Sequence, residues 1–415
     1  MVRVEDYLEL VGDEVIADIY RRSTPLNGKD VVHINSTYYG GGVAEILKTL
    51  VPLMNDVGID AGWRVLHGNP DFFSLTKDFH NALQGQQEID LPEDRIAMYR
   101  HTNEDFSVYT HLNHDFVIIH DPQPLPLIKY YRKGQPWIWR CHIDLSQPDR
   151  RVWNLIKRYI LKYDKVIVSN NRYRNPTLPV EQALIYPAID PLSVKNMDMS
   201  ETEVGKELDS LGIPTDKPLI SQISRFDKWK DPVGVIDVFK KVRKKVDCRL
   251  VLCGSMASDD PEGYKIYDEV KRSGGDLIDK GEIIIRANET EPAINALQRF
   301  SSVIIQKSHR EGFGLTVTEA LWKGTPVVCS NVGGLAVQVT DEHNGYVLGP
   351  DDNKGFADRI AHILKNNDTL NEMSSNAKET VRDKFLVTRL LLDYLKLLNE
   401  HNYDRLFPSR SESIL

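Results

Sequence analysis

The sequence is poor in cysteine: its 415 residues include four, Cys141, Cys248, Cys253 and Cys329. They are scattered, none of them forms a C-x-x-C pair, and each lies in an apolar, strand-like context. This pattern argues against a disulfide-stabilised secreted scaffold and gives no zinc-ligand spacing. We therefore expect four buried thiols in a reducing compartment.

Long apolar runs are also missing, because no stretch approaches the ~20 apolar residues that a membrane-spanning helix needs. Residues 1–20 are amphipathic and acidic, so they lack the basic start and apolar centre of a signal peptide. Residues 4–22 are instead predicted to form a helix with one apolar face. The expected location is the cytoplasm, with no membrane contact.

An excess of positive charge is absent as well. The 52 Lys and Arg residues are outnumbered by 60 Asp and Glu residues, which gives a net charge of -8. This balance argues against a nucleic-acid-binding protein. The basic cluster at residues 240–245 follows a predicted helix, where cations complement the helix dipole, and it is interpreted as a solvated helix end.

What the sequence does contain is a repeated alternation of short apolar strands and helical stretches in both halves. This alternation is typical of an α/β fold with parallel sheets. A chain of 415 residues exceeds one core of ordinary size, so two domains are expected. The proline-flanked segment 187–191 predicts the crossing between them, with an N-terminal domain over 1–191 and a C-terminal domain over 192–387.

The most informative stretch is Ser308–Gly324, SHREGFGLTVTEALWKG. It follows a predicted strand at 302–305 and precedes another at 327–329, so its loop lies at the edge of a parallel sheet where ligands bind. The loop carries Glu311, and Glu319 lies eight residues later in the predicted helix. The site therefore has two carboxylates at the start of one helix.

Backbone N–H groups at a helix start attract phosphate, because they lack intrahelical partners and the helix dipole is positive there. Gly312 and Gly314 allow a ligand to approach the backbone closely. Carboxylates accept hydrogen bonds from sugar hydroxyls, so the combination favours a sugar nucleotide. The predicted phosphate-binding amides are those of Phe313, Gly314, Leu315 and Thr316. The alternative interpretation is an ordinary helix start without a ligand.

A second glycine cluster follows the predicted strand 30–35. Gly41 and Gly42 precede a predicted helix from about 43 to 57 and again place backbone donors at a helix start. The dinucleotide fingerprint G-x-G-x-x-G is absent, which weakens a dehydrogenase interpretation. A glycine turn that needs only a positive φ is the alternative.

Two further predicted strands end with a histidine and a carboxylate. His120 and Asp121 end the strand that begins at Phe116, and His142 and Asp144 end the strand that begins at Trp137. The carboxyl ends of parallel strands lie on the ligand side of the sheet. A single histidine of this kind is often an ordinary edge residue, but two such pairs favour a site.

Arg225 and Lys230 lie in the loop after the first strand of the second half, just before a helix with Pro232 in its first turn. The guanidinium fork and the ammonium point charge both bind phosphate oxygens. The pair is therefore predicted to neutralise a diphosphate, with a solvated loop of salt bridges as the alternative.

The run E-G-F-G-L-T-V-T-E at 311–319 resembles the two-glutamate motif of the retaining glycosyltransferases of family 4. That family has the GT-B fold, in which two Rossmann-like parallel-sheet domains face a central cleft. Over residues 30 to 390 the chain is most similar to the trehalose glycosyltransferring synthases of the family. The resemblance implies transfer of glucose from an NDP-glucose, UDP- or ADP-glucose, to free glucose, with retention at the anomeric carbon.

The resemblance also implies residue roles in the second half. Arg225 and Lys230 match the phosphate-binding pair of the family. Glu311 would hold sugar hydroxyls and Glu319 the ribose hydroxyls. Asn288 lies in the turn where relatives read the nucleobase.

In the first half, Gly41 and Gly42 match the loop that lies against the donor diphosphate and sugar. His142 matches a histidine that reaches the donor sugar, and Asp121 a carboxylate that faces the acceptor. The last helix, about 388–415, would pack back on the first domain. The predicted catalytic set is Glu311, His142, Asp121, Arg225 and Lys230.

The expected ligands are a nucleotide-sugar donor and a sugar acceptor, without a covalent cofactor. No D-x-D cluster calls for a metal, although Mg²⁺ on the diphosphate stays an alternative. A homodimer is expected from base rates alone. Open alternatives in function are a phosphorylase of the same family, transfer to another acceptor, a nucleotide-sugar epimerase of the GT-B type, and a non-catalytic sugar-nucleotide-binding protein.

Overall fold

The computed structural model describes residues 2–39, 41–86, 89–255 and 261–406. The chain divides into two compact units. The first unit comprises the chain up to Ala188 together with the segment from Leu386 onward, and the second unit is Ile189–Phe385. Each unit is built around one parallel sheet.

The strands of the first unit form one sheet in the order β2-β1-β3-β4-β5-β6. Every pairing in it is parallel. The strands are β1 (Asp30–Asn35), β2 (Asp60–Val65), β3 (Phe116–His120), β4 (Trp137–Arg140), β5 (Lys165–Val168) and β6 (Glu181–Leu184).

The strands of the second unit form a parallel sheet in the order β12-β11-β10-β7-β8-β9. They are β7 (Leu219–Ile223), β8 (Arg249–Gly254), β9 (Ile283–Ala287), β10 (Val303–Gln306), β11 (Val327–Ser330) and β12 (Gly345–Leu348). The strands that are buried along their whole length are β3, β4 and β5 in the first sheet and β7, β8, β10 and β11 in the second, as expected for parallel strands covered on both faces.

Helices connect the strands. In the first unit they are α1 (Leu8–Val11), α2 (Asp13–Ser23), α3 (Gly42–Asp56), α4 (Pro70–Leu83), α5 (Glu93–Tyr109) and α6 (Arg150–Ile160). In the second unit they are α7 (Glu201–Ser210), α8 (Pro232–Val242), α9 (Pro261–Gly274), α10 (Asp276–Asp279), α11 (Glu291–Phe300), α12 (Leu315–Trp322), α13 (Leu335–Gln338), α14 (Asn353–Lys365) and α15 (Asn367–Lys384). The last helix, α16 (Val387–Leu406), belongs to the first unit. None of the helices in the described part of the chain is long and apolar enough to cross a membrane.

Each unit has its own hydrophobic core. In the first unit the core includes Trp137 and Trp139 of β4, both fully buried, packed with Phe72 and Phe79 of α4. In the second unit α8 and α14 contribute Phe239 and Phe356. The predicted α/β class is thus confirmed, and the four cysteines are free and buried as expected.

The predicted N-terminal helix over 4–22 is wrong in one respect. The chain forms a 3-10 turn at Val4–Tyr7 and then two helices, α1 and α2, with Gly12 between them. Gly12 has φ 81° and ψ 165°, a backbone conformation that favours glycine and does not continue a helix. The apolar periodicity continues across this break, so periodicity alone suggested a single helix.

Candidate active site

The loop between β10 and α12 is shaped around Gly314. This residue caps α12 with φ 85°, and a Cβ atom at its position would lie 2.9 Å from Leu335 Cδ2 and 3.3 Å from the Glu311 side chain. The first amide of the helix to find a backbone acceptor is that of Val317, which donates to Gly314 O at 2.9 Å. The amides of Leu315 and Thr316 come before it, at the predicted phosphate position.

Gln338 holds the backbone of this loop in place. Its buried amide donates to Phe313 O at 2.6 Å and to Gly334 O at 3.2 Å, and its carbonyl accepts from Thr318 Oγ1. A Cβ atom on Gly334 would lie 2.3 Å from Phe313 Cα, so the two backbone segments are in direct contact. Gln338 was not predicted, because it lies in a short helix without a motif.

Lys230 and Glu311 form an ion pair. Lys230 Nζ donates to Glu311 Oε2, and the two side chains are 15% and 10% exposed. The carbonyl of Lys230 also accepts from Gln222 Nε2 of β7 at 2.8 Å, which fixes the turn that carries the lysine. The fold thus brings together two predicted site residues from different loops. Because the pair is partly shielded from water, the attraction between its charges is stronger than it would be in bulk solvent.

Arg225 is placed differently from Lys230. Its side chain is 55% exposed, and Nη2 lies 3.2 Å from Asp227 Oδ2. The other Asp227 oxygen accepts from Trp229 N at 2.8 Å. An exposed single-point ion pair of this kind is weak, so most of the guanidinium fork remains directed at solvent and accessible to an anion.

A second ion pair ties the Arg225–Pro232 loop to Lys307, the residue just before the Ser308–Gly324 stretch. Asp231 caps α8 with φ 47° and accepts from Gly234 N at 3.0 Å. Lys307 Nζ donates to its other carboxylate oxygen, and His309 Nε2 lies 3.5 Å from the same atom. Asp231 and Lys307 therefore hold the two predicted motifs together, a role that their sequence context did not reveal.

Glu319 lies in a buried polar network. Its side chain is 1% exposed; Oε1 lies 2.9 Å from Lys195 Nζ, and Oε2 accepts from Gln298 Nε2 at 3.1 Å. Gln298 in turn accepts from Lys323 Nζ, which also donates to Asn196 Oδ1 at 2.9 Å. Both carboxylate oxygens of Glu319 thus contact protein groups, and its role toward a ribose stays a prediction.

Asn288 lies immediately after β9, exposed and with φ 60°. Its N–H donates to Gly254 O at 2.8 Å. A Cβ atom on Gly254 would lie 2.4 Å from Ser224 O, the residue before Arg225. The turns after β7, β8 and β9 are therefore adjacent at the carboxyl edge of the second sheet.

In the first unit, Gly41 and Gly42 are exposed at the start of α3. Gly41 has φ 81°, but a Cβ atom there would meet no heavy atom within 4 Å. The backbone conformation favours glycine at this position, and the space around it does not require one.

Asp121 follows β3 in a left-handed conformation, with φ 61°. Its Oδ1 accepts from the backbone N–H of His142 at 2.8 Å, its N–H donates to Arg140 O at 2.8 Å, and its carbonyl accepts from Trp139 Nε1 at 2.9 Å. Burial raises the pKa of the Asp121 carboxyl to about 7, against the lowering effect of the His142 N–H bond. Near neutral pH this carboxyl is therefore present in both protonation states.

His142 is joined to two other histidines. Its Nε2 lies 3.0 Å from His120 Nδ1, and His120 Nε2 lies 3.0 Å from His33 Nδ1. Burial lowers the pKa of all three imidazoles, that of His33 to about 3, so all are neutral at physiological pH. His33 was not among the predicted site residues. Asp144, which was singled out at the end of β4, instead accepts a hydrogen bond from Ser146 N at 2.9 Å within a turn.

Neither unit contains an evident metal centre in its described part. No group of three or more His, Cys, Asp or Glu side chains among those residues could hold a metal ion. The three histidines bond to one another in a row and do not converge on a common point.

Two family models match the chain. One described as the trehalose synthase N-terminal domain matches residues 33–175, and one described as glycosyl transferases group 1 matches residues 204–380. Among solved structures, the chain is similar to an α,α-trehalose-phosphate synthase (UDP-forming) from Burkholderia xenovorans, with a TM-score of 0.73 at 13% identity over 90% of this chain and 100% of that one. The fold is that of the GT-B glycosyltransferases.

The similarity in sequence is more specific. A trehalose synthase from Thermococcus litoralis is 45% identical over 400 residues, which cover 96% of this chain and 97% of that protein. A trehalose phosphorylase from Grifola frondosa is 27% identical over 441 residues, which cover 92% of this chain and 58% of that protein. The chain belongs to the trehalose synthase family of glycosyltransferases, and the predicted family is confirmed.

Proposed function

We propose that this protein is a retaining glycosyltransferase that transfers glucose from an NDP-glucose, UDP- or ADP-glucose, to free glucose and so forms trehalose. The observation that carries the proposal is the 45% identity with a trehalose synthase across 96% of the chain. The arrangement of the second unit supports it, because Arg225, Lys230 and the α12 amides suit a diphosphate.

The phosphate oxygens of the donor would compete with Glu311 for the ammonium of Lys230. Arg225 would add a two-pronged contact, and the amides of Leu315 and Thr316 would donate to the same group. When the bond between the sugar and the diphosphate breaks, negative charge develops on the departing oxygen. Positive groups already in place stabilise that charge without reorganisation, which lowers the barrier.

Glu311 would have two roles in this scheme. Its carboxylate orients Lys230 before the donor arrives, and it accepts hydrogen bonds from sugar hydroxyls afterwards. The C1–O bond to the diphosphate breaks, a bond from C1 to an acceptor glucose oxygen forms on the same face, and the acceptor proton passes to the departing phosphate oxygen. This route retains the anomeric configuration without a carboxylate nucleophile of the kind that retaining hydrolases use.

Asp121 and His142 would contact the sugars. A carboxyl with a pKa of about 7 can donate or accept a hydrogen bond near neutral pH, which suits a group facing a hydroxyl. The left-handed backbone of Asp121 and its three hydrogen bonds place this carboxyl firmly. Strained backbone of this kind is concentrated at functional sites.

Proton NMR of the purified protein with UDP- or ADP-glucose tests the proposal directly. A product with a single α,α anomeric signal, formed only when free glucose is added, is the expected result. Parallel samples with inorganic phosphate and with or without Mg²⁺ separate a phosphorylase and a metal requirement. Donor loss to free glucose or to an epimer, or UDP binding without turnover, would replace the proposal with hydrolysis, epimerisation or binding alone.

A further inference from the structure

Three histidines form a diagonal row across the first sheet. His33 of β1 pairs in register with Ile118 of β3, and His120 of β3 pairs with Arg140 of β4. Because side chains two residues apart on a strand share a face, the side chains of His33, His120 and Arg140 lie on one face of the sheet. His142, two residues after Arg140, continues the row beyond the strand end.

The row has one buried end and one accessible end. His33 and His120 are 0% and 1% exposed, whereas His142 is half-buried. Among the described residues, Nε2 of His33 has no hydrogen-bond partner. Nδ1 of His142 likewise contacts no hydrogen-bonding group there, because the bonds of this residue are those from its backbone N to Asp121 and from its Nε2 to His120.

Three neutral imidazoles in a row have two consistent proton arrangements. Either each Nδ1 carries the proton, so that His33 donates to His120 and His120 to His142, or each Nε2 does and the direction is reversed. The first arrangement leaves a lone pair on the buried Nε2 of His33, and the second leaves an N–H group there. Buried N–H groups without an acceptor are rarer and more costly than under-used acceptors.

Arg140 favours the same direction. Its guanidinium is fully buried, donates to Tyr394 Oη at 3.2 Å, and lies with Cζ 5.5 Å from the Tyr394 ring. The ring of His33 packs edge-on against the same tyrosine, with centroids 5.7 Å apart. A fixed positive charge beside the buried end of the row favours a lone pair on His33 Nε2, not an N–H group.

We propose that His33 and His120 are positioning residues that hold His142 in the Nδ1–H tautomer, so that His142 presents a neutral N–H donor to an oxygen of the sugar substrate. The assignment of that oxygen to a sugar rests on the proposed function. The tautomer itself follows from the row of hydrogen bonds, since the bond made by one ring nitrogen sets the protonation of the other.

A fixed neutral donor has a chemical advantage over a free imidazole. The Nε2–H tautomer predominates for imidazole side chains in water, so an unrestrained His142 would mostly present a lone pair at Nδ1, which accepts a hydrogen bond from a hydroxyl and cannot donate one. A chain of aligned hydrogen bonds also polarises its terminal N–H and strengthens the bond that it donates. The row therefore prepares the donor before substrate binds.

Two substitutions of His120 separate positioning from packing. The asparagine amide occupies the place of Nδ1 and can still donate to His142, whereas the glutamine amide occupies the place of Nε2 and retains only the contact with His33. We expect His120→Asn to keep transferase kcat/KM within about threefold of wild type and His120→Gln to lower it about tenfold or more, the loss of one well-placed hydrogen bond. Equal losses in both variants would overturn the proposal.

The tautomer can be read without any activity. Nitrogen-15 NMR of protein labelled at histidine, with the His142 signal assigned by its loss in His142→Ala, should show Nδ1–H for His142 in wild type and in His120→Asn. In His120→Gln, or in His33→Phe if the glutamine variant fails to fold, the signal should shift toward Nε2–H. An Nε2–H tautomer in the wild type would overturn the proposal, and this readout is independent of whether the protein makes trehalose.

Discussion

Lys230 donates its ammonium to Glu311 across 81 residues of sequence, and both side chains are largely shielded from water. The pair sits between two turns that Asp231 and Lys307 also connect. The pair is thus unlike the exposed pairs of a protein surface, which contribute little to stability. A ligand phosphate that took Lys230 would release the Glu311 carboxylate for a second ligand group, so that binding of one part of the donor prepares the other.

Replacing Glu311 should abolish transfer without unfolding the protein. We expect Glu311→Ala to lower kcat at least a hundredfold, because the sugar hydroxyls lose a hydrogen-bond acceptor and Lys230 loses the carboxylate that orients it. Truncating one partner of a buried pair can cost ~3–5 kcal/mol, but Lys230 keeps 15% exposure and can turn to water, so a smaller loss is expected. Steady-state kinetics and urea unfolding measure the two effects.

The control for Glu311 is Glu342→Ala, since Glu342 is 65% exposed and pairs with Arg359 on the surface. It should change neither kcat nor stability measurably. A folded Glu311→Ala protein with near-normal turnover would exclude the proposed role of Glu311.

Arg225 should contribute to nucleotide binding and little to folding. We expect Arg225→Ala to weaken UDP binding about tenfold to a hundredfold in calorimetry, which is the loss of one or two charge-assisted hydrogen bonds. Its 55% exposed side chain predicts an unchanged unfolding midpoint. Arg382→Ala, at a 52% exposed position in α15, is the matched control, and an unchanged affinity in Arg225→Ala would rule out the phosphate contact.

Gly314 and Gly41 have similar positive φ values but different surroundings. Alanine is strained at both, at a cost of ~1 kcal/mol or more, but only at Gly314 would its Cβ atom approach Leu335 Cδ2, at 2.9 Å. At Gly41 the strain comes from the backbone alone, because φ 81° and ψ 157° lie in a region open essentially to glycine. At Gly314 the crowding adds a second effect, so we expect Gly314→Ala to lower UDP affinity because the α12 amides move. Unchanged UDP affinity in a folded Gly314→Ala protein would show that the crowding is relieved without moving those amides.

The sequence predicted the parts of the site that share a segment. The strand–loop–helix order around Glu311 and the histidine and carboxylate at the ends of β3 and β4 are local patterns, and the structure contains those elements. His33 escaped detection because DVVHIN reads as an ordinary buried strand. Only the order β1-β3-β4 places it beside His120, and strand order is not encoded in hydrophobic periodicity.

The same limit applies in the second unit. Lys195 reaches Glu319 and Gln338 reaches the Phe313 carbonyl from segments without any motif. Their partners lie tens of residues away in sequence, so these contacts follow from tertiary packing and not from spacing. Polar residues that support a site are therefore harder to predict than those that line it.

His33 and Asp121 should affect the pH dependence of stability in opposite directions. The pKa of His33 is about 3 in the folded protein and about 6.5 unfolded, so only the unfolded chain binds this proton between those values, and stability falls as pH falls. The pKa of Asp121 is about 7 in the folded protein against an ordinary value of about 3.8, so between these values the folded protein binds the extra proton and stability rises as pH falls. Each contributes a slope of about 1.4 kcal/mol per pH unit. The measurement is the free energy of unfolding in urea between pH 4.5 and 6. His33→Phe should make this free energy fall less steeply as the pH is lowered, and Asp121→Asn should make it fall more steeply by a similar amount. Slopes that shift in the same direction in both variants would contradict the assigned protonation states.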